Sequence, residues 1–403
     1  AFGNFEMAEL NLNFSLLGIS NIDSREQPYS LFEYGGRLAF TFHHFLFPLS
    51  ENFIEKTNEL NPRTRISFYY SYEDRTKEYE RNQIFTDFSY LWTKNKEKQF
   101  IFTPFGINYT EIRQIDPSFQ NFLNAQDTLG NRSLSAAFKP SLTTLISFEA
   151  IFNQNNYGNL STHSSFLRLL TESGGLYVNA FENLLPDSNF TLFQWLKFNV
   201  DFRSHMISKK GQIAFKINLG AAFAYGDAQA LPYERRFYAG GSNSIRAWPV
   251  RRLGPGAYAE ATSMENRSID DQVAQISYQR EQGGDLIIET SIEYRNKLTN
   301  NLNYAFFADM GNIWLLNSSQ SIQDYEGDDG KFRLDSFYKE LAVGIGLGLR
   351  YDFSFMILRL DGAIQVVDPG QPIGQRYILN QLLSQNGFFR NKSNINIGIG
   401  LPF

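Results

Sequence analysis

The stretch QIAFKINLGAAFAY, residues 212–225, decides the fold class, because its side chains alternate between two chemical kinds. Apolar side chains recur at every second position from Ile213 to Tyr225, and polar, charged or small residues such as Lys216 and Asn218 stand between them. A period of two over this length predicts a β-strand with one apolar and one polar face. A strand of a soluble sandwich averages about 5–6 residues, whereas a strand that crosses an outer membrane at a tilt needs about 9–11. The stretch therefore has the length of a membrane strand, with one side for lipid and the other for a wet lumen.

The same alternation recurs along the chain, for example at 192–203 and at 341–352. It predicts an all-β fold, a transmembrane antiparallel β-barrel with fourteen strands in this chain. The predicted strands are 5–17, 31–47, 62–75, 79–93, 98–112, 141–154, 163–174, 192–206, 212–225, 285–297, 302–315, 341–352, 353–367 and 391–403.

The connections between these strands alternate in length, as they do in barrels with tight periplasmic turns and long outer loops. The segments 207–212 and 298–301 are predicted as tight turns, and 113–140 and 226–284 as outer loops. A soluble β-solenoid or β-propeller is the alternative architecture, but such folds repeat at a fixed period. The chain shows no fixed period, so the barrel is the better interpretation.

The composition of the 403 residues bounds the function classes. A net charge of -5, without a basic face, argues against a nucleic-acid partner. The absence of cysteine excludes disulfides and thiolate metal sites, and it suits a protein that crosses an oxidising compartment. The chain contains no run of about 18 apolar residues, so the sequence predicts no transmembrane helix. Residues 1–20 do not resemble a signal peptide. No linker-like segment divides the chain, so residues 1–403 are expected to form one domain.

Enzymatic and metal chemistry find little support in the sequence. The histidines His43, His44, His163 and His205 lack the spacing of a metal site. Ser242 has no neighbouring histidine, so the glycine–serine segment around it is not a nucleophile elbow. We therefore expect no enzymatic activity, no metal and no cofactor.

The final segment NINIGIGLPF, residues 394–403, alternates in the same way and ends on an aromatic residue. An aromatic end on an alternating strand resembles the recognition signal of outer-membrane barrels. Gly398 and Gly400 lie on the opposite face, where glycine either weakens packing against the neighbouring strand or leaves room for a loop in the lumen. The residues expected to share the apolar face are Ile395, Ile397, Ile399, Leu401 and Phe403.

A second segment, FYAGGSNSIRAWPVRRLGPG at residues 237–256, combines glycines and prolines with aromatic residues and arginines. Glycine supplies positive φ and proline fixes φ, so this composition prescribes one backbone path rather than a flexible linker. The part FYAGGSNSIRAW resembles the sixth extracellular loop of the BamA/TamA superfamily of outer-membrane assembly factors. The residues that match the loop motif are Gly240, Gly241, Ser242, Ile245, Arg246, Ala247 and Trp248.

Three further segments carry the resemblance in the same order. They are GGDLIIETSIEYR at 283–295, FFADMGNIW at 306–314 and the closing strand. The details IRAW and RRLGPG resemble the TamA-like branch sometimes called TamL more than BamA itself. Ala247 stands where the family usually has glycine, which bears on the tightness of the turn after Arg246.

The resemblance implies a barrel of sixteen strands that is preceded by periplasmic POTRA domains. The fourteen predicted strands correspond to strands three to sixteen of that arrangement, so we expect the first hairpin and the POTRA domains upstream of residue 1. Residues 1–403 then form the barrel domain, and the loop 226–284 folds into its lumen.

The resemblance also implies a function in the outer membrane of a Gram-negative bacterium. A factor of this family assembles or translocates client proteins through a lateral seam of its barrel, between the first and last strands. The implied partners are outer-membrane lipid and lipopolysaccharide, unfolded outer-membrane or secreted clients, and periplasmic or lipoprotein accessory subunits. The alternatives are a transporter of the two-partner secretion type, which exports a soluble protein, and a passive porin or adhesin.

Alternation predicts where the loop arginine points. It places Glu293 on the inward face of one strand, and Asp309 and Gly311 on the inward face of the next strand. Consecutive strands are neighbours, so the two carboxylates are expected close together. They repel in a confined lumen unless a cation joins them, and the planar fork of arginine can bind both. We expect Arg246 to reach inward to this pair, and an exposed surface ion pair is the alternative.

Overall fold

The structure is a computed structural model that describes residues 6–18, 29–46, 58–76, 78–128, 138–155, 157, 163–177, 191–226, 228, 230–258, 281–316, 330–353, 355–378 and 392–403. Within these residues fourteen strands form one sheet in chain order, and neighbours run antiparallel. The number of strands and the antiparallel all-β class are therefore as the alternation predicts. The strands are β1 Met7–Gly18, β2 Tyr29–Phe42, β3 Arg63–Arg75, β4 Tyr79–Lys94, β5 Lys98–Ile115, β6 Ser141–Gln154, β7 Ser164–Gly174, β8 Trp195–Ser208, β9 Gly211–Ala224, β10 Leu286–Lys297, β11 Leu302–Trp314, β12 Ala342–Asp352, β13 Ile357–Val367 and β14 Ser393–Ile399.

The strands expose their apolar side chains and bury their polar ones, which is the reverse of a soluble protein. In β10, Ile292 is 49% exposed, whereas the adjacent Glu293 is 0% exposed. In β9, Leu219 is 42% exposed, whereas Lys216 is 7% exposed. Lipid covers an apolar outer face, while a polar inner face lines a lumen, so this arrangement is typical of a membrane barrel.

The short connections agree with the sequence prediction. Only Lys209 and Lys210 separate β8 from β9, and residues 298–301 separate β10 from β11. Among the described residues, no helix has both the length and the apolar character that crossing a membrane requires.

The outer loop predicted between β5 and β6 contains a helix, α1 Pro117–Thr128, which the strand periodicity did not reveal. Asp116 caps it, because its side chain accepts a hydrogen bond from the backbone N–H of Ser118 at 2.8 Å. Proline is favoured at the first helical position, where no backbone N–H is needed. Phe119 and Leu123, one helical turn apart, are both buried. The pair Asp116–Pro117 is thus a start signal that sequence reasoning missed.

Some strand ends differ from the prediction. β13 begins at Ile357 rather than at residue 353, because Phe353 lies in the turn before it and donates its N–H to the carbonyl of Met356 at 2.9 Å. The aromatic alternation of Phe353 and Phe355 continues through this turn and so imitates a strand. β2 ends at Phe42, whereas the predicted end at residue 47 lies outside the described residues.

The predicted closing strand 391–403 is too long. β14 ends at Ile399, and Gly400 has a φ of 84°, a left-handed conformation that turns the chain out of the strand. Pro402 lacks the N–H that a continued ladder needs. The prediction that Phe403 continues the outward face is therefore wrong, because Phe403 is 7% exposed, and Leu401, which is half-buried, lies beyond the end of the strand. The outward face of Ile395, Ile397 and Ile399 is confirmed, since they are 68%, 73% and 75% exposed.

The chain divides into two compact units. The first consists of Ala1–Asn153, Arg168–Phe198 and Ala222–Tyr233, and it contains a buried cluster of aromatic rings. Arg81 lies over the ring of Tyr233, with 4.5 Å between its guanidinium carbon and the ring centroid. The members of the cluster are Tyr79, Phe119, Phe138 and Tyr233.

The second unit consists of Gln154–Leu167, Asn199–Ala221 and Glu234–Phe403. It contains β10 to β14 and the whole segment 237–256, together with all the residues of the candidate site.

Candidate functional site

Two glycines fold the motif segment back on itself. Gly240 and Gly241 have φ values of 102° and 98°, which other residues rarely adopt. A Cβ on Gly240 would lie 2.3 Å from the carbonyl oxygen of Pro249, so these two segments of the loop approach each other too closely for a side chain. The N–H of Gly241 donates to the carbonyl of Trp248 at 3.0 Å and closes the loop. Ser242 stays half-buried in the turn, where it forms no part of the inward cluster.

The loop buries Arg246 against two carboxylates. Its Nε and Nη2 donate to the two oxygens of Asp309, each at 2.8 Å, and its Nη1 donates to Glu293 at 2.5 Å. The backbone N–H of Arg246 also donates to Asp309 at 3.1 Å. The guanidinium carbon lies 3.4 Å from the ring centroid of Phe307, which adds a cation–π contact. These distances are those expected of the inward arrangement, while the part that the residues play in function stays a prediction.

The charge of the loop arginine is stabilised despite its burial. Burial by itself lowers the pKa of Arg246, because it disfavours the charged form. The hydrogen bonds and charge of Asp309, and then those of Glu293, outweigh this effect and raise the pKa of Arg246 above its ordinary value. Arg246 therefore remains a cation in its buried position.

A third carboxylate and three more arginines extend the cluster beyond the predicted residues. Arg295 and Arg350 donate to the second oxygen of Glu293 at 2.7 and 3.1 Å. Asp361 accepts a hydrogen bond from Arg350, lies 3.7 Å from Nη1 of Arg246, and pairs with Arg359 at 3.4 Å. Alternation within β12 and β13 could have placed these side chains on the inward face, but it does not reveal which of them meet.

Close packing explains two small residues of the motif region. A Cβ on Gly311 would lie 2.3 Å from the carbonyl of Ile288 and 3.2 Å from Cδ1 of Ile245, so glycine lets the loop approach β11. Ala247 is 1% exposed, and a Cβ on Gly344 of β12 would lie 2.6 Å from the Ala247 methyl. The methyl group that departs from the usual glycine thus occupies the space that Gly344 leaves open.

The last strand is hydrogen-bonded to the loop through residues that sequence analysis did not select. Asn394 donates to the carbonyls of Arg246 and Trp248 at 3.0 and 3.1 Å. Asn396 donates to the carbonyl of Arg246 at 3.0 Å. Each asparagine is 8% exposed, so these hydrogen bonds are shielded from water. β14 is therefore attached both to β13 and to the backbone of the motif.

The two glycines of the last strand have different surroundings. A Cβ on Gly398 would lie 2.7 Å from Nη2 of Arg359, so this glycine makes room for a side chain of β13 rather than for the lumen loop. Gly400 has no neighbour within 4 Å of its Cβ position, and its positive φ ends the strand. Beyond it, the carbonyl of Phe403 accepts from Arg295 at 3.1 Å, and its ring lies 5.6 Å from the Arg295 guanidinium.

A separate ion pair holds the other side of the loop. Lys216 of β9 donates to the carbonyl of Asn243 at 2.8 Å and to Glu289 of β10 at 3.0 Å. Lys216 and Glu289 are both buried, so the pair is protected from salt screening. Lys216 belongs to the polar face of the stretch that predicts the fold, although its pairing with the loop could not be foreseen.

The histidines make ordinary structural contacts. Nδ1 of His163 accepts from the N–H of Ile207 at 3.0 Å, and His205 lies 3.3 Å from the side-chain oxygen of Gln212. In the part of the chain that the structure describes, no group of three histidine, aspartate or glutamate residues could hold a metal ion.

Comparison with known proteins gives one family and several similar structures. The model of the Omp85 superfamily domain matches residues 4–403. The crystal structure of BamA from Haemophilus ducreyi lacking POTRA domains 1-3 is similar, with 15% identity and a TM-score of 0.59 over 89% of this chain and 66% of that chain. CdiB from Acinetobacter baumannii matches at 11% identity and a TM-score of 0.34, over 90% and 62% of the two chains. CdiB from Escherichia coli matches at 10% identity and a TM-score of 0.41, over 92% and 55%. The chain thus spans just under two thirds or less of the structures it matches, and the BamA match shows the β-barrel fold.

Proposed function

The chain belongs to the Omp85 superfamily, and from that membership we propose that it inserts or translocates client proteins at the outer membrane through a lateral seam beside its last strand. Membership of the Omp85 superfamily supports an outer-membrane location and a role in insertion or translocation. The seam, the client class and an assignment to the TamA-like branch called TamL are our proposals. The motif segment IRAW with the RRLGPG extension supports that branch.

Edge chemistry explains why a terminal strand suits this task. A client strand that enters lipid must pair its backbone N–H and C=O groups, since hydrocarbon cannot solvate them. β14 is the last strand in the order of the sheet, and the edge of a sheet offers a row of unpaired backbone groups. Its outward face of Ile395, Ile397 and Ile399 is compatible with lipid. An incoming strand could therefore pair with β14 without leaving the membrane.

The observation that carries the proposal is the connection between the Arg246 cluster and β14. Asp309 and Glu293 bind Arg246 and so fix the loop on β10 and β11. The backbone carbonyls of Arg246 and Trp248 then accept hydrogen bonds from the side chains of Asn394 and Asn396. The loop thereby sets the resting position of the strand that we propose as the seam. Release of these hydrogen bonds would leave β14 attached only through its pairing with β13.

Reconstitution tests the proposal directly. The purified protein is placed in liposomes, and an unfolded outer-membrane barrel is added as client. We expect faster acquisition of protease protection and of heat-modifiable mobility by the client than in empty liposomes. A rate equal to that of empty liposomes refutes an insertase.

The same liposomes separate the alternatives. Appearance of a soluble client inside the vesicles, without insertion of a barrel client, identifies a transporter of the two-partner type. A steady ion conductance with neither activity identifies a passive porin. As a matched control, Lys339→Gln changes an exposed residue far along the chain from β14 and is expected to leave insertion unchanged.

The proposed partners follow from this role. We propose contact with outer-membrane lipid and lipopolysaccharide on the exposed apolar faces, and transient contact with unfolded outer-membrane or secreted clients at β14. Periplasmic or lipoprotein subunits that assist the protein are a further proposal. We expect no enzymatic step, because strand exchange needs no covalent chemistry.

A further inference from the structure

Exposed lysines stand at neighbouring short turns in the second unit. Lys209 and Lys210 form the connection between β8 and β9, and Lys297 ends β10, which pairs with β9. All three side chains are exposed. The turn sequences ISKKGQ at 207–212 and NKLTNN at 296–301 contain no aspartate or glutamate, so nothing within them neutralises this charge.

The turn between β8 and β9 is held in a defined position beside Lys297. The carbonyl of Lys210 accepts hydrogen bonds from the hydroxyl of Tyr294 and, at 3.0 Å, from the amide of Asn296. Asn296 also accepts the N–H of Lys297 at 2.8 Å. A Cβ on Gly211 would lie 2.8 Å from the Tyr294 hydroxyl, so glycine is needed for this close approach. The lysines are thus presented on a fixed turn rather than on a loose loop.

Aromatic rings continue from this turn across the following strands. Tyr294 and Tyr304 are 6.5 Å apart between ring centroids, and Tyr304 and Phe306 are 5.5 Å apart. The next turn carries Phe353 and Phe355, 6.1 Å apart, and Phe355 is 81% exposed. Aromatic belts of this kind lie at the level of lipid headgroups. Short turns belong to the periplasmic end of such barrels, so this belt faces the inner leaflet.

A similar combination occurs independently in the first unit. The turn between β4 and β5 carries the exposed lysines Lys94, Lys96 and Lys98, with one glutamate, Glu97. The rings of Trp92 and Phe100 stack beside it at 5.6 Å and 20°. Lysine beside aromatic residues at a short turn is therefore a recurrent feature of this chain.

We propose that Lys209, Lys210 and Lys297 bind the phosphate of an anionic phospholipid in the inner leaflet, with the aromatic belt beside its upper acyl chains. Ammonium groups pair with phosphate as point charges, and long lysine side chains extend along apolar surface toward the headgroup level. The outward apolar residues Ile213 and Ile292 lie next to the belt and offer a surface to the chains. The turn between β4 and β5 binds a second lipid of the same class.

Native mass spectrometry of the detergent-purified protein tests the proposal with phosphatidylglycerol and phosphatidylcholine of identical chains. The wild type is expected to bind phosphatidylglycerol at least about tenfold more tightly at low ionic strength. A lysine near an anionic surface contributes about fivefold in affinity, so replacing all three lysines removes the preference at this turn. The first variant is Lys209→Gln/Lys210→Gln/Lys297→Gln, and the corresponding arginine variant is expected to keep the preference.

Two more variants locate the effect. Lys94→Gln/Lys96→Gln/Lys98→Gln is expected to abolish the binding of one further lipid, and Arg333→Gln/Lys339→Gln, exposed at the long-loop end, is expected to change nothing. Equal affinity of the wild type for the two lipids overturns the proposal. A first variant that binds as many phosphatidylglycerol molecules as the wild type, and as tightly, also overturns it, as does a long-loop variant that loses the preference. If the first variant does not fold, the lipid preference of the wild type is measured as a function of ionic strength. A preference for phosphatidylglycerol that persists at about 0.5 M salt, where the Debye length is only a few ångströms, also overturns the proposal.

Discussion

Replacing Arg246 with alanine removes a buried cation from between two carboxylates, and the consequences for the two are unequal. Asp309 loses both side-chain hydrogen bonds of 2.8 Å and keeps the backbone N–H of residue 246 at 3.1 Å. Glu293 loses one hydrogen bond but keeps those of Arg295 and Arg350. The cost of the substitution therefore falls mainly on Asp309, which is 1% exposed and cannot be solvated without local opening.

The magnitude follows from this count of lost partners. Breaking a buried ion pair by removing one partner costs about 3–5 kcal/mol, because the other charge stays buried and uncompensated. We expect Arg246→Ala to lower the free energy of unfolding by about this amount. Arg246→Lys keeps the charge but not the planar fork, so it should cost about 1.5–3 kcal/mol, equivalent to one lost charged hydrogen bond.

A double substitution separates the charge effect from the loss of packing. Arg246→Ala/Asp309→Asn removes the uncompensated carboxylate, and it should be more stable than Arg246→Ala alone by about 1–3 kcal/mol. Unfolding by urea in detergent micelles, followed by tryptophan emission, measures the free energies. Trp248, which belongs to the loop and is 0% exposed, makes the emission sensitive to loop release.

Two results would refute this argument. The first is a loss of less than about 1 kcal/mol in Arg246→Ala, which means that Asp309 finds another partner or water. The second is a double variant that is less stable than Arg246→Ala, which means that Asp309 is not the destabilised group. The matched control is Lys297→Ala, an exposed cation at the end of β10 whose removal should cost no more than about 0.5 kcal/mol.

The last two strands provide further tests. Gly398→Ala places a methyl group 2.7 Å from Nη2 of Arg359 and should lower the free energy of unfolding by about 1–3 kcal/mol. Gly362→Ala on the adjacent strand meets nothing within 4 Å and should leave that free energy nearly unchanged. Equal losses of stability in urea unfolding would contradict this contrast. Asn394→Leu/Asn396→Leu removes three hydrogen bonds to the loop and should accelerate hydrogen exchange of the β14 amides at least about tenfold while the β11 amides are unaffected. Unchanged exchange in β14 would show that the loop does not hold this strand.

The sequence is sufficient for the fold because the decisive signal is local. Alternation in a segment such as 212–225 depends only on which face meets lipid and which meets the lumen, and every strand repeats that choice. The contact of Arg246 with Glu293 and Asp309 was also accessible, since two consecutive strands must be neighbours. The remaining step was electrostatic, because paired buried carboxylates require a cation.

Other contacts of the site depend on distances that cannot be predicted from the alternation of the sequence. Arg350 and Asp361 lie on inward faces as the pattern predicts, but which carboxylate each arginine meets depends on strand register and on side-chain reach across the lumen. Asn394 looks like any polar residue of an inward face until the loop is placed beside it. The inward position of Phe403 was mispredicted because Gly400 changes the backbone direction after the alternation has been established.

The polar character of the lumen explains why ions, and not apolar packing alone, hold the loop in place. An inward face that must stay polar offers little apolar surface, so a loop inside it cannot be fixed by hydrophobic burial alone. Hydrogen-bonded charges of fixed geometry can specify one position, and the fork of Arg246 meets Asp309 and Glu293 in a single arrangement. That position in turn directs the carbonyl of Arg246 toward Asn394 and Asn396. The cation that fixes the loop thus also determines where the last strand can attach. The proposed seam is therefore coupled to the Arg246 cluster through the backbone of the loop, and no direct contact between the guanidinium and the asparagine side chains is required.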